Sequence, residues 1–136
     1  MILFGVKKMS AIVLVMWRKV IAESLLTELN KRSGLQIIHE HDYIRAYKRI
    51  MDENAKVALF EAAETGDYDV SYCLEVCSAL RKESENCKLI LMCPDQDEEA
   101  VEQTVAAMQD GQIDDFVFYE ASFDYLSSKL MTMLHN

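Results

Sequence analysis

The chain has 136 residues, 51% hydrophobic and 27% charged, with one Pro and four Gly; this suits one buried core and excludes disordered, collagen-like and linker compositions. Fourteen Lys and Arg against 23 Asp and Glu leave a net charge of −9, which repels nucleic-acid phosphates and anionic bilayer surfaces, so neither is expected as a partner. The longest apolar runs, Ala11–Trp17 and Leu89–Cys93, are too short to cross a bilayer.

The opening MILFGVKKMS has an apolar patch shorter than a signal-peptide core, and its charges follow the patch instead of preceding it. A cytoplasmic, reducing setting is therefore expected, with Cys73, Cys77, Cys87 and Cys93 as free thiols. None of the four forms a C-x-x-C pair. Met9 offers an alternative start, so residues 1–9 are expected as a poorly ordered extension before one domain over 10–136.

Ala11–Met16 is a continuous apolar, β-branched run, as expected of a strand buried on both faces. Val20–Lys31 has Val20, Ile21, Leu25, Leu26 and Leu29 at helical spacing and ends at Ser33-Gly34. Gln36–His39 reads as a second strand. Asp42 caps an expected helix through Ile44, Tyr47 and Ile50. Lys56–Phe60 is a third strand, followed by a polar loop over Glu61–Asp69. Val70–Lys82 is helical, with Val70, Cys73, Leu74, Cys77 and Leu80 inward. Lys88–Met92 is a fourth strand, stopped by Cys93-Pro94-Asp95. Asp97–Gln109 is helical, with Val101, Val105 and Met108 expected to face inward, and Gly111 ends it. Phe116–Phe118 is a fifth strand. Ser122 caps a last helix through Phe123, Leu126, Leu130, Met133 and Leu134.

Five strand–helix repeats in strict alternation predict an α/β fold with a parallel sheet and helices on both faces. Right-handed crossovers favour a doubly wound, flavodoxin-like sheet of order 2-1-3-4-5. Ligands on such a sheet bind beyond the carboxyl ends of the strands, between strands one and three. The loops there carry Trp17-Arg18-Lys19, Glu61-Ala62-Ala63-Glu64, Cys93-Pro94-Asp95 and Tyr119-Glu120-Ala121. They hold no glycine-rich phosphate loop, so no nucleotide or flavin cofactor is expected.

Three stretches together resemble the receiver domains of two-component response regulators, over residues 10–134. Lys56–Glu61 (KVALFE) is similar to the third strand with its acidic phosphoacceptor. Leu74–Arg81 (LEVCSALR) is similar to the third helix. Gly111–Ser128 (GQIDDFVFYEASFDYLSS) is similar to the run that follows the fourth helix. The resemblance implies that Glu61 stands at the phosphoacceptor position. The metal-binding acidic pair falls on Met16-Trp17 or Trp17-Arg18, the Thr/Ser on Cys93 or Met92, the Lys on Tyr119, and the cis-Pro on Glu120. The loop after Glu61 is also about one helical turn longer than in the family. A hard Mg²⁺ ion needs oxygen ligands, of which one carboxylate, Glu61, remains in the expected place, with Arg18 or Lys19 beside it to repel a cation; phosphoryl transfer depends on such charge stabilisation. The expectation is a pseudo-receiver, with no metal, no cofactor and no enzymatic activity.

Two readings of Glu61 stay open: mimicry of a phosphorylated Asp, or a plain ion pair with Arg18 or Lys19. Trp17 either fills or anchors the pocket, or packs under the long loop. His39 and His41 face one side of a strand end without an evident third ligand. Cys73 and Cys77 lie one helical turn apart and read as small buried hydrophobes, while Cys93 is a weak candidate nucleophile. The resemblance implies a partner or a second copy on the fourth helix, fifth strand and fifth helix, at Val101, Val105, Met108, Phe118 and Tyr125. The alternatives are an atypical phosphoreceiver using Glu61 or Asp67, and a small-ligand-binding domain on the same scaffold.

Overall fold

The computed structural model describes residues 10–32 and 34–136, so the expected extension over 1–9 and Ser33 lie outside the described residues. Five parallel strands, β1 (Ser10–Val15), β2 (Leu35–Glu40), β3 (Val57–Glu61), β4 (Lys88–Cys93) and β5 (Asp115–Phe118), form one sheet of order β2-β1-β3-β4-β5. The helices are α1 (Lys19–Leu29), α2 (Ala46–Asp52, entered through a 3₁₀ turn at Tyr43–Arg45), α3 (Val70–Glu83), α4 (Glu98–Gln109) and α5 (Phe123–His135). The flavodoxin-like order read from the sequence is the observed one.

Alternation along the strands divides the apolar residues between two cores. Ala11, Val13 and Val15 of β1, with Ala58 and Phe60 of β3, pack under α2, α3 and α4. Ile12 and Leu14 of β1, with Val57 and Leu59 of β3, pack under α1 and α5. Continuing the second series along β3 brings Glu61 to the α1/α5 face. That one step in register places a carboxylate beside the start of α1.

Helix faces depart from the expected stripes in a consistent way. Val20 is 74% exposed and Ile44 73%, while Tyr47 and Met108 also lie outward. The buried positions are Ala22, Leu25 and Leu29 on α1, Tyr43, Ala46 and Ile50 around α2, and Ala100, Thr104 and Ala107 on α4. Val101 and Val105 are only half-buried, beside the inward stripe. Small residues let each helix lie close to the sheet, so alanines mark the inner face better than the largest apolar side chains do. On α3, where Val70, Cys73, Leu74, Cys77 and Leu80 are all buried, the expected stripe is the observed one.

Asp42, Asp69, Asp97 and Ser122 each accept a backbone N–H at a helix start, removing orphan donors worth about 1 kcal/mol apiece. Gly111 follows α4 with φ +78°, a conformation that side-chain-bearing residues avoid. The four cysteines are buried free thiols. No helix among the described residues is long and apolar enough to cross a membrane.

Candidate functional site

β1 and β3 are neighbours, but their following helices leave on opposite faces of the sheet, which opens the edge between them. Glu61 ends β3 there with its side chain fully buried. Its Oε1 accepts the backbone N–H groups of Trp17 and Arg18, each at 3.0 Å. Its Oε2 accepts the Nε–H of Arg18. The Arg18 Nη2 lies 3.2 Å from the Met92 sulfur, and the guanidinium carbon stands 4.6 Å from the centroid of the Tyr119 ring. A carboxylate is tolerated in a buried site only when paired and hydrogen-bonded, and this one is both.

Of the two cations the sequence offers to Glu61, Arg18 and Lys19, the one that pairs with it is Arg18. Lys19 turns away and meets the exposed Glu23 at 3.9 Å. This geometry also resolves the register at the end of β1. Met16 is wholly buried in the α1/α5 core, and its carbonyl accepts from His39 Nε2 at 2.9 Å. Trp17 and Arg18 are the pair that reaches the site.

The same logic separates Met92 from Cys93. Glu61 and Met92 are partners across the β3–β4 ladder, so they share a face. Cys93 points into the opposite core, where its thiol lies 3.4 Å from both the Pro94 carbonyl oxygen and the Thr104 hydroxyl. Burial pushes the Cys93 pKa up, which disfavours the nucleophilic thiolate. Burial likewise lifts Cys73 and Cys87 to about 12 and Cys77 well above its ordinary value.

The long loop after β3 is held by tyrosines that the sequence reading did not single out. The buried Tyr43 donates its hydroxyl to the Glu61 carbonyl at 2.5 Å. Tyr68 stacks on Tyr43 at 4.9 Å and meets Tyr72 edge-on at 5.0 Å. Ala63 N–H closes the loop onto the Tyr68 carbonyl at 2.8 Å. The signal in the sequence was Tyr68 and Tyr72 flanking the α3 cap Asp69, four residues apart. Asp67 is exposed on this loop, next to Gly66.

Trp17 does not pack under that loop: it is 50% exposed. It lines a cleft of about 550 Å³ with Arg18, Ala63, Glu64, Thr65 and Tyr119, a volume in the range of small-ligand and side-chain pockets. The Tyr119 hydroxyl donates to the Ala62 carbonyl, tying β5 to the loop after β3, and burial pushes this phenol up to about 12. Glu120 is exposed, and the neighbouring Asp95 pushes its carboxyl pKa up.

The residues at the site do not fit a divalent cation. The carboxylate that would ligate it is filled by three N–H donors, and a guanidinium stands in the adjacent space. Among the described residues no three His, Cys, Asp or Glu side chains group as metal ligands. The His39 and His41 rings meet edge-on with centroids 6.3 Å apart.

At the α4–β5–α5 face, Phe116 and Phe118 contact edge-on at 5.4 Å and both are half-buried. Met108 is 37% and Tyr125 51% exposed, and Lys129 lies over the Tyr125 ring while pairing with Asp115 at 2.5 Å.

The sequence matches no protein-family model and no curated protein. Its fold is matched among solved structures. A DNA-binding response regulator of the LuxR family from Staphylococcus aureus superposes with a TM-score of 0.73 at 17% identity, over 93% of this chain and 99% of that one. The signal receiver domain of a signal transduction histidine kinase from Syntrophus aciditrophicus gives 0.73 at 17%, over 93% and 90%. A structure described as adenylate cyclase from Rhodopirellula baltica gives 0.76 at 16%, over 93% and 88%. These superpositions establish a shared fold, that of response regulator receiver domains.

Proposed function

We propose that this chain is a signalling domain of the two-component receiver type that acts without phosphorylation, by binding protein partners or a second copy of itself, and that it is not an enzyme. The observation that carries the reading is the Arg18–Glu61 pair. A phosphoacceptor must offer a free carboxylate oxygen to an incoming phosphoryl group, with a metal and cations to stabilise the transferring charge. Glu61 has both oxygens engaged, and among the described residues the only cation against it is the arginine that engages Oε2. Tyr119, at the position the receiver resemblance gives to Lys, is tied to a backbone carbonyl. Such a site is organised to stay in one state. The regulated event then becomes association, for which the half-exposed Met108 and Tyr125 on the α4–β5–α5 face offer apolar contact.

The test is incubation with Mg²⁺ and acetyl phosphate, read by intact mass beside a working receiver. The expected result is no mass gain. A gain of one phosphoryl group overturns the reading, and mapping it to Glu61 or Asp67 establishes an atypical phosphoreceiver instead.

A further inference from the structure

We infer that the cleft between Trp17, Tyr119 and the loop after β3 docks a basic segment of a protein partner, seating a Lys or Arg side chain against the Trp17 indole and the Glu64 carboxylate. The inference rests on the binding role proposed above and names a surface and a partner chemistry for it.

Three observations converge on this occupant. First, a large aromatic side chain stands half out of water at the edge where this fold places its ligands, and the neighbouring loop leaves it uncovered. Second, the ring faces here already hold a cation. The Arg18 guanidinium carbon lies 4.6 Å from the Tyr119 centroid and 5.8 Å from that of Trp17. Glu61 cancels the Arg18 charge from behind, so among the described residues the charge lining the cleft that no ion pair offsets is the carboxylate of Glu64. Third, the acidity continues beyond the cleft. Ala63 and Glu64 also line a second depression of about 140 Å³, shared with Asp69, Asp97 and Glu99. Asp95 and Glu120 follow the adjacent strands β4 and β5 at the same edge of the sheet. A chain with a net charge of −9 draws cations over a distance, and this edge concentrates that field around an exposed aromatic ring. Phosphate-bearing ligands are disfavoured by the same carboxylates.

Trp17 is the only tryptophan, so its emission reads the cleft directly. The probe is an oligo-arginine peptide, with an oligo-glutamate peptide of equal length as control, titrated against the whole chain. The expected result is a saturable change in Trp17 emission with oligo-arginine, weakening as salt rises, and none with oligo-glutamate. By calorimetry, Trp17→Ala loses about tenfold in affinity and Trp17→Phe retains most of it. Glu64→Gln loses a few-fold, while Glu85→Gln, an exposed acid on the loop before β4, leaves affinity unchanged. No change in Trp17 emission, or equal losses in Glu64→Gln and Glu85→Gln, overturns the inference. The two readings fail separately. A phosphoryl gain from acetyl phosphate sinks the phosphorylation-independent role while the peptide titration stands. A silent titration without phosphoryl gain removes only the cleft.

Discussion

Two arginine–carboxylate pairs sit at opposite ends of the sheet, and they differ in what surrounds them. At the carboxyl ends, Arg18 meets a fully buried Glu61 whose other oxygen holds two backbone N–H groups. At the amino ends, Arg81 meets Asp114 at 2.7 Å, with both side chains about a quarter exposed. Asp114 also accepts the Leu89 N–H at 2.8 Å, and Arg81 donates to the Cys87 carbonyl at 3.3 Å, so this pair fastens α3 to the starts of β4 and β5. The chemistry is the same, but water competes for one pair and is excluded from the carboxylate of the other. Burial, more than the presence of an ion pair, decides how much each can carry.

The largest expected effect is therefore at Glu61. Glu61→Ala leaves the Arg18 guanidinium and two backbone N–H groups without the buried carboxylate that accepts from them. The loss should be about 3 kcal/mol, at the low end for a broken buried pair, because Arg18 is 29% exposed and can turn toward solvent. Chemical unfolding measures it, and Glu61→Lys should cost more, since it sets two cations against each other. Unchanged stability in either variant would show that Arg18 and Glu61 do not depend on one another.

Asp114→Ala is the matched experiment at the other end. It removes the acceptor for Arg81 and for Leu89 N–H, but the Arg81 and Asp114 side chains are both partly open to solvent. A loss of about 1–2 kcal/mol is expected, below that of Glu61→Ala. Among the described residues the buried Arg81 Nε has no hydrogen-bond partner, so this arginine is less completely satisfied than Arg18. If Asp114→Ala proved the more damaging, burial would not be what separates the two ends.

How much of this was legible in the sequence depends on the length scale of the signal. The strands were, because five apolar runs separated by helical spacing have few arrangements open to them. The α3 stripe was legible too, since its five inward residues recur on one helical face. The faces of α1, α2 and α4 were misread where inward alanines lie beside larger outward residues such as Val20 and Ile44. At the site, the pairing of Glu61 was open between Arg18 and Lys19, because a one-residue change at the end of β1 reverses which side chain faces β3. The tyrosine stack under the long loop was invisible, since Tyr43 and Tyr68 meet only through the fold.

A solvated pair of the same length sets the floor of the comparison. Lys48 and Asp52 lie four residues apart at the end of α2, 2.7 Å apart, with side chains 77% and 59% exposed. Their distance equals that of Arg81–Asp114, so a geometric view of ion pairs ranks the two alike. Solvation does not: exposed pairs at this helical spacing contribute about 0.5 kcal/mol or less. Lys48→Ala should move the thermal midpoint barely at all, and what shift remains should shrink in high salt. A Lys48→Ala loss as large as that of Asp114→Ala would mean that contact distance, not exposure, orders these pairs, and the reading of the Arg18–Glu61 pair as the strongest of them would lose its basis.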